Sequence, residues 1–279
     1  GTFSAELGSE MDVVPWTAST SSGVADVSAV IAQHQPKVVV LMDNVALRLY
    51  RDYQRAQPAG TKFPPAVAIM ASFLSEQTLK ELDNTSGIAF ELPALTTFAR
   101  LRALVTAPIA RVGVVHRTSF NAHVERERVL ASQERIALVA QPVSDDPDPR
   151  ELRAALKRLA QRNVDALWVL NDNVLLTPEL LARGWLPTLN DTLKIPVIVG
   201  VVSLLTQQPQ FGSFAMAPDL GELGIQTASL VLDIADTEYQ FRPQFERALS
   251  VKTFVNLKQV PARFTLKEGA RERIDQVLE

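Results

Sequence analysis

The sequence predicts an α/β protein with parallel sheets arranged in two lobes, and three observations carry that prediction. Short runs rich in Val, Ile and Leu recur without alternating with polar residues, as strands buried on both faces require. Amphipathic helical stripes lie between the runs. Four of the runs, starting at Val112, Ile136, Ala166 and Pro196, follow one another at 24 to 30 residues, the period of a strand–helix–strand repeat.

In chain order, Val38–Met42 and Ala66–Met70 are the first strand candidates. Between them Ala46, Leu49, Tyr50 and Tyr53 fall at i, i+3, i+4 and i+7, which predicts a helix with one buried face. Val13–Thr17 reads as an early strand end. A stretch with Pro93 and several Thr and Ala residues leads to Val112–Val115, then to Ile136–Ala140, Ala166–Leu170 and Pro196–Val202. Leu152, Ala155, Leu156 and Leu159 make a second helical stripe among Arg and Lys residues. Gln207–Gln210 is a polar break. Phe211–Ala217 then reads as a strand, Leu220–Asp236 as its helix, Leu249–Val255 as a last strand and Glu268–Glu279 as a charged terminal helix. Two sheets with separate cores explain this better than one sheet of eight or more strands. The first lobe is expected to take 1–100 with 203–250, and the second 101–202 with 251–279. A chain that crosses between lobes more than once makes a multi-strand hinge. Ligands of open α/β sheets bind outside the carboxyl ends of the strands, so two such lobes predict a binding protein with a shared cleft.

Composition excludes several functions. With 279 residues, 47% hydrophobic and 21% charged, the chain can bury a core, and wholesale disorder is excluded. A net charge of −3 argues against nucleic acid as the main partner. The absence of Cys removes disulfides, thiolate catalysis and Cys-ligated metals. Three His leave little for a metal cage. Twelve Gly fall below the usual ~7%, and the glycine patterns of phosphate loops and dinucleotide sites, the nucleophile elbow and the paired-histidine zinc motif are all missing. No apolar stretch reaches the ~18 residues of a membrane span. No catalytic residues, cofactor or metal are expected.

The candidate site residues stand at strand ends. Asp165–Asn173 is a buried strand that ends in Asn171, Asp172 and Asn173, after which Thr177 and Pro178 have the residue types of a helix N-cap and first helical position. Asp172 could accept from a ligand ammonium and the Asn amides could donate or accept; an Asx-turn that merely ends the strand is the competing reading. Val38–Asn44 repeats the pattern, with Asp43 and Asn44 as ligand contacts or as a helix cap. Asp219 follows the Phe211–Ala217 strand and precedes a helix, as cap, ligand partner or both. Ser72 and Phe73, after Ala66–Met70, could supply a hydroxyl and an apolar wall. His116 and His123 are seven residues apart, about 10 Å along a helix, too far for joint ligation, and read as surface histidines of a solvated helix. Trp168 and Trp185 read as packing, and Trp16 as the tryptophan to watch.

The order of Asn84–Ile88, Ala110–Val115, Asp165–Asn173, Ile195–Ile198, Phe211–Phe214, Pro218–Asp219 with Leu223–Gly224, and Val255–Lys258 resembles one family. It is that of ABC-transporter substrate-binding proteins with the type I periplasmic-binding fold, of the tryptophan/tyrosine-binding kind, and the likeness runs from about residue 25 to about residue 265. The resemblance implies two Rossmann-like lobes that close on a small molecule, an aromatic or other amino acid among the candidates. It also implies an extracytoplasmic location, the chain having no signal peptide of its own, and delivery to a membrane permease. Asn171, Asp172, Asn173 and Asp219 match positions that hold the ligand's amino group. The chain departs from the family at Asp43-Asn44, where a Gly-Thr or Gly-Ser turn is usual, and at Ala71-Ser72-Phe73, where Asp-Pro is usual. Against the family pattern Met11–Thr17 is expected as the second strand, with the first strand–helix unit missing or clipped. These departures keep open an alternative on the same fold, a ligand-sensing or partner-binding module with a degenerate cleft.

Overall fold

All eight apolar runs form strands in the computed structural model, which describes residues 1–8, 10–19, 21–208, 210–259 and 264–279. Pro209, within the expected polar break, lies outside the described residues. The chain divides into two units, residues 1–91 with 218–251 and residues 92–217 with 252–279. The passage expected near 203 thus comes at 218, because the strand Phe214–Pro218 pairs with the one before it.

The first unit begins with α1 (Thr2–Leu7) and α2 (Val24–His34), followed by β1 (Val39–Met42), α3 (Asp43–Ala56), β2 (Ala66–Ile69), α4 (Glu76–Leu79) and β3 (Thr85–Ala89). The order of its sheet is β1-β2-β3-β9, all parallel, with β9 at Phe245–Arg247. Strand alternation sorts β2 between two cores. Ala66 and Ala68 pack with Val27, Leu47, Tyr50 and Tyr53 from α2 and α3. Val67 and Ile69 pack with Leu7 of α1 and with Leu223, Val231 and Ile234.

In the second unit the chain runs through α5 (Ala94–Leu104), β4 (Arg111–Arg117), α6 (Asn121–Gln133), β5 (Ala137–Val143), α7 (Pro149–Gln161) and β6 (Ala166–Val169). Then come α8 (Pro178–Leu180), α9 (Leu186–Asp191), β7 (Val197–Val199), α10 (Ser203–Thr206) and β8 (Phe214–Pro218). The long helix α11 (Leu220–Asp236) belongs to the first unit, and β10 (Val251–Asn256) and β11 (Gln276–Leu278) complete the second sheet in the order β11-β10-β8-β7-β6-β4-β5. Leu152, Ala155, Leu156 and Leu159 bury the apolar stripe of α7 against this sheet. Gly113 lets α7 approach β4: a Cβ there would stand 3.2 Å from a Leu159 methyl. Trp185 is fully buried, its indole N–H donating to the Leu175 carbonyl at 2.8 Å, and its ring stacks on Phe211.

Two expected elements differ. Val13–Thr17 is irregular, not a strand: Pro15 removes a backbone donor, and Val13, Val14 and Trp16 stay exposed. Glu268–Glu279 is not a helix but a short 3-10 turn followed by β11, parallel to β10. Gly269 at φ 67 breaks any helix there. The segment is held by backbone and carboxylate bonds between Asp275 and Thr253, and by Arg100 donating to the Arg273 carbonyl.

Candidate functional site

In the second sheet β4 has β5 on one side and β6 on the other. The chain leaves β4 for β5 and returns to the far side for β6, so the order reverses here, and such a reversal is where open α/β sheets take ligands, outside the carboxyl ends of the strands. Two charged side chains meet at that reversal. Arg117 is the last residue of β4, and Asp172 lies in the turn just after β6. The Arg117 Nε donates to Asp172 Oδ2 at 2.7 Å and Nη2 to Oδ1 at 3.0 Å, a two-pronged ion pair. The Val174 N–H adds a third bond to Oδ1 at 3.0 Å. Asp172 is 2% exposed, while the Arg117 side chain is 18% exposed and its guanidinium sits 5.0 Å over the Phe120 ring.

The chemistry on offer at this reversal is therefore donor-rich. A guanidinium carries five N–H groups, and three of Arg117's have no partner among the described residues. Asn173 is exposed beside them; Asn171 is buried against Gly200, where a Cβ would come within 2.6 Å of its amide nitrogen. Asp145 accepts from the Ser119 N–H at 2.9 Å, and that bond, with further bonds from Ser119 and Thr118 and the nearby Arg117 charge, holds its carboxyl below the usual range. The structure thus gathers Asn171, Asp172 and Asn173 in one cluster and adds Arg117. The Asx-turn at Asp172 is present as well, so the carboxylate put forward for a ligand ammonium is already occupied. Arg117 is not among the expected contact residues, although its position at the end of β4 is the same signal that picks out Asp172.

The first unit has its own cluster of strand ends. Met42 and Ile69 are register partners, so the residues after β1 and β2 come to one edge. Asp43 caps α3, its Oδ1 accepting from the Val45 and Ala46 N–H groups at 2.7 and 2.9 Å. Asn44, Ser72 and Phe73 are half-buried. Asp43, Met70 and Phe73 hold positive φ values of 87°, 56° and 58°. Side-chain-bearing residues adopt this region at a cost of about 1–3 kcal/mol each, and such strain gathers at ligand sites. Asp219 is the N-cap of α11, accepting from the Gly221 N–H at 3.1 Å.

The histidines correct their expectation. His116 is a β4 residue, 3% exposed, and His123 is half-buried against Trp168, with ring centres 6.3 Å apart. Burial lowers both pKa values; for His123, with Arg126 and His116 adding to the effect, the value falls to about 4. Among the described residues no group of three or more His, Asp or Glu is placed to hold a metal ion, and no described helix is long and apolar enough to cross a membrane.

No protein-family model matches the chain, and no curated protein does. Solved structures do match. An ABC domain in complex with L-Trp from Streptococcus pneumonia is 17% identical with a TM-score of 0.66, over 99% of this chain and 94% of that one. A ligand-free, open substrate binding protein with adhesive properties from Clostridium difficile is 14% identical with a TM-score of 0.67, over 99% and 92%. A transcription regulation repressor of the LACI family from Corynebacterium glutamicum, described as putative in its name, is 12% identical with a TM-score of 0.52, over 95% and 92%. The fold is the type I periplasmic-binding fold, with two α/β lobes of parallel sheet.

Proposed function

With that fold as premise, we propose that the chain is the solute-binding component of an ABC transporter. It binds a small molecule at the carboxyl ends of its strands, without catalysis, and passes it to a membrane permease outside the cytoplasm. The observation that carries the reading is the Arg117–Asp172 pair at the strand reversal. Asp172 holds the guanidinium in place and Phe120 backs it, so the remaining N–H groups meet an acceptor on the ligand. An amino acid supplies that acceptor as its carboxylate. Asn171 and Asn173 would contribute from the turn after β6; within the first unit, Asp43, Asn44, Ser72 and Phe73 at the strained ends of β1 and β2 are the proposed contact residues. Asp219 enters the reading as a positioning residue for α11.

The test is a thermal-shift screen against amino acids, aromatic ones foremost, with the O-methyl esters alongside. A ligand should raise the melting temperature by several degrees, its ester should not, and Arg117→Gln should abolish the shift while the protein stays folded. Absence of stabilisation by every amino acid, nucleoside and sugar sinks the transport reading. One observation favours the alternative of a sensing or partner-binding module: Asp172 is already satisfied by its own chain. That outcome would show as a folded protein with a flat screen.

A further inference from the structure

Leu152, Ala155, Leu156 and Leu159 bury one face of α7, and the face opposite is basic. Arg150, Arg153, Lys157 and Arg158 stand on it and Arg162 follows at the C-cap, so five cations span about 18 Å of helix. Arg153 is half-buried and the other four are exposed. None of the five makes an ion pair among the described residues. Glu151, the one carboxylate within α7, is turned back to the Ser144 N–H and hydroxyl, at 2.7 Å each. Arg153 is steadied by donating to the Arg183 carbonyl, and Arg158 by donating to the Gln141 side chain at 2.8 Å. A helix C-terminus favours cations in its last turn, which accounts for Arg158 and Arg162 but not for Arg150, Arg153 and Lys157.

This face belongs to a division of charge that the net of −3 conceals. The first unit has 8 Lys and Arg against 16 Asp and Glu, a net charge of −8, and the second has 20 against 15, a net charge of +5. Such asymmetry, with a basic amphipathic helix on the positive side, points to a polyanionic partner. The remaining chemistry selects among polyanions. A protein partner needs an apolar centre to its interface, and none of the large exposed apolar side chains among the described residues lies on α7. Single-stranded nucleic acid needs aromatic platforms for its bases, and α7 has no aromatic residue. A surface of lipid phosphates needs only a row of cations on a convex face. We propose that the outer face of α7 docks the second unit onto an anionic phospholipid surface, by charge and without insertion.

Flotation of the whole chain with vesicles tests this, using phosphatidylcholine alone and phosphatidylcholine with about a third phosphatidylglycerol. At ~10 mM salt the chain should float with the anionic vesicles only, and at ~300 mM it should leave them, as screening shortens the reach of the charges. Arg150→Gln/Lys157→Gln/Arg158→Gln should weaken partitioning by roughly a hundredfold, at about fivefold for each cation. Lys157→Glu alone, at an exposed position, should weaken it by about tenfold or more. Arg48→Gln/Arg55→Gln/Lys62→Gln removes the same charge from the first unit and should change partitioning by less than about threefold. Arg117→Gln should do the same, which separates this face from the proposed solute site. The proposal is overturned if neutral vesicles carry the chain as well as anionic ones, if neither kind carries it at ~10 mM salt, or if the first-unit variant weakens partitioning as much as the α7 variant. Tighter binding to duplex DNA than to anionic vesicles at equal phosphate concentration would overturn it too, and would assign the face to nucleic acid.

Discussion

Arg117 and Asp172 are unequal members of one pair. Asp172 is buried and accepts three hydrogen bonds, so its removal strands the guanidinium and the Val174 N–H together. Asp172→Ala should cost about 2–3 kcal/mol in urea unfolding, below the ~3–5 kcal/mol of breaking a fully buried pair because Arg117 reaches solvent. Arg117→Gln should cost less, since it leaves the carboxylate its backbone bond. Equal costs would mean that Asp172 has no structural role of its own. The histidines give a pH prediction. The folded state lowers the pKa of both His116 and His123, so it favours their neutral forms. The unfolded chain binds protons near 6.5, whereas the folded His123 waits until about 4. Their contribution is therefore complete above pH 6.5 and declines as pH falls through that value toward 4. The melting temperature should drop between pH 7.5 and 5, and His123→Gln should flatten part of the slope. An unchanged slope in the His116→Gln/His123→Gln double variant would assign the acid sensitivity elsewhere; Asp145, also shifted down, acts only below the ordinary carboxylate range.

At the scale of elements, continuous apolar runs mark the strands whose both faces are covered, and that is why β2, β4, β6 and β8 are legible. β3 is not, although it is central: its residues Thr85, Ser86 and Gly87 are buried without being apolar. Thr85 donates to the Asp83 carbonyl, Ser86 accepts from the Gln244 N–H, and Gly87 makes room for Leu79, whose methyl would lie 2.9 Å from a Cβ. Local satisfaction of hydroxyls replaces hydrophobicity there, and no run-counting rule sees it. β9 and β11 are three residues each and take their strand character from a neighbour, not from their own sequence. The candidate site follows the same division. Its strand-end positions can be read from where apolar runs stop, while the Arg117–Asp172 pairing joins residues 55 apart and needs the sheet order. β1 carries a prediction of its own. It is the edge of its sheet, with Met42 54% exposed, and Val45 and Trp16 are exposed too. Such an edge invites strand pairing between molecules. Met42→Lys should lower the light scattering of concentrated samples on warming, and an unchanged onset would place the association surface elsewhere.

Over the whole molecule, the two units have separate cores. Leu152, Leu156, Leu159, Trp185 and Phe211 belong to one, and Tyr50, Val67, Ile88 and Val231 to two layers of the other. The second core is drawn from residues of unit 2 alone and the others from unit 1 alone. Yet neither unit is a continuous stretch of chain, because residues 218–251 return to the first and 252–279 to the second. A cavity made in one core therefore has two possible reaches. Leu159 is fully buried beneath Gly113, and Leu159→Ala should cost about 2–5 kcal/mol by lost burial and cavity formation. If each core sets its own local stability, hydrogen exchange should quicken in β4, β6 and β7 and stay slow in β2 and β3. If the shared crossings bind both cores into one cooperative transition, protection should fall equally in every strand. The separate cores favour the first outcome. It would matter for function, because a solute held at the β4–β6 reversal would then slow exchange in the unit that carries Arg117 and Asp172 and leave β2 and β3 as they were.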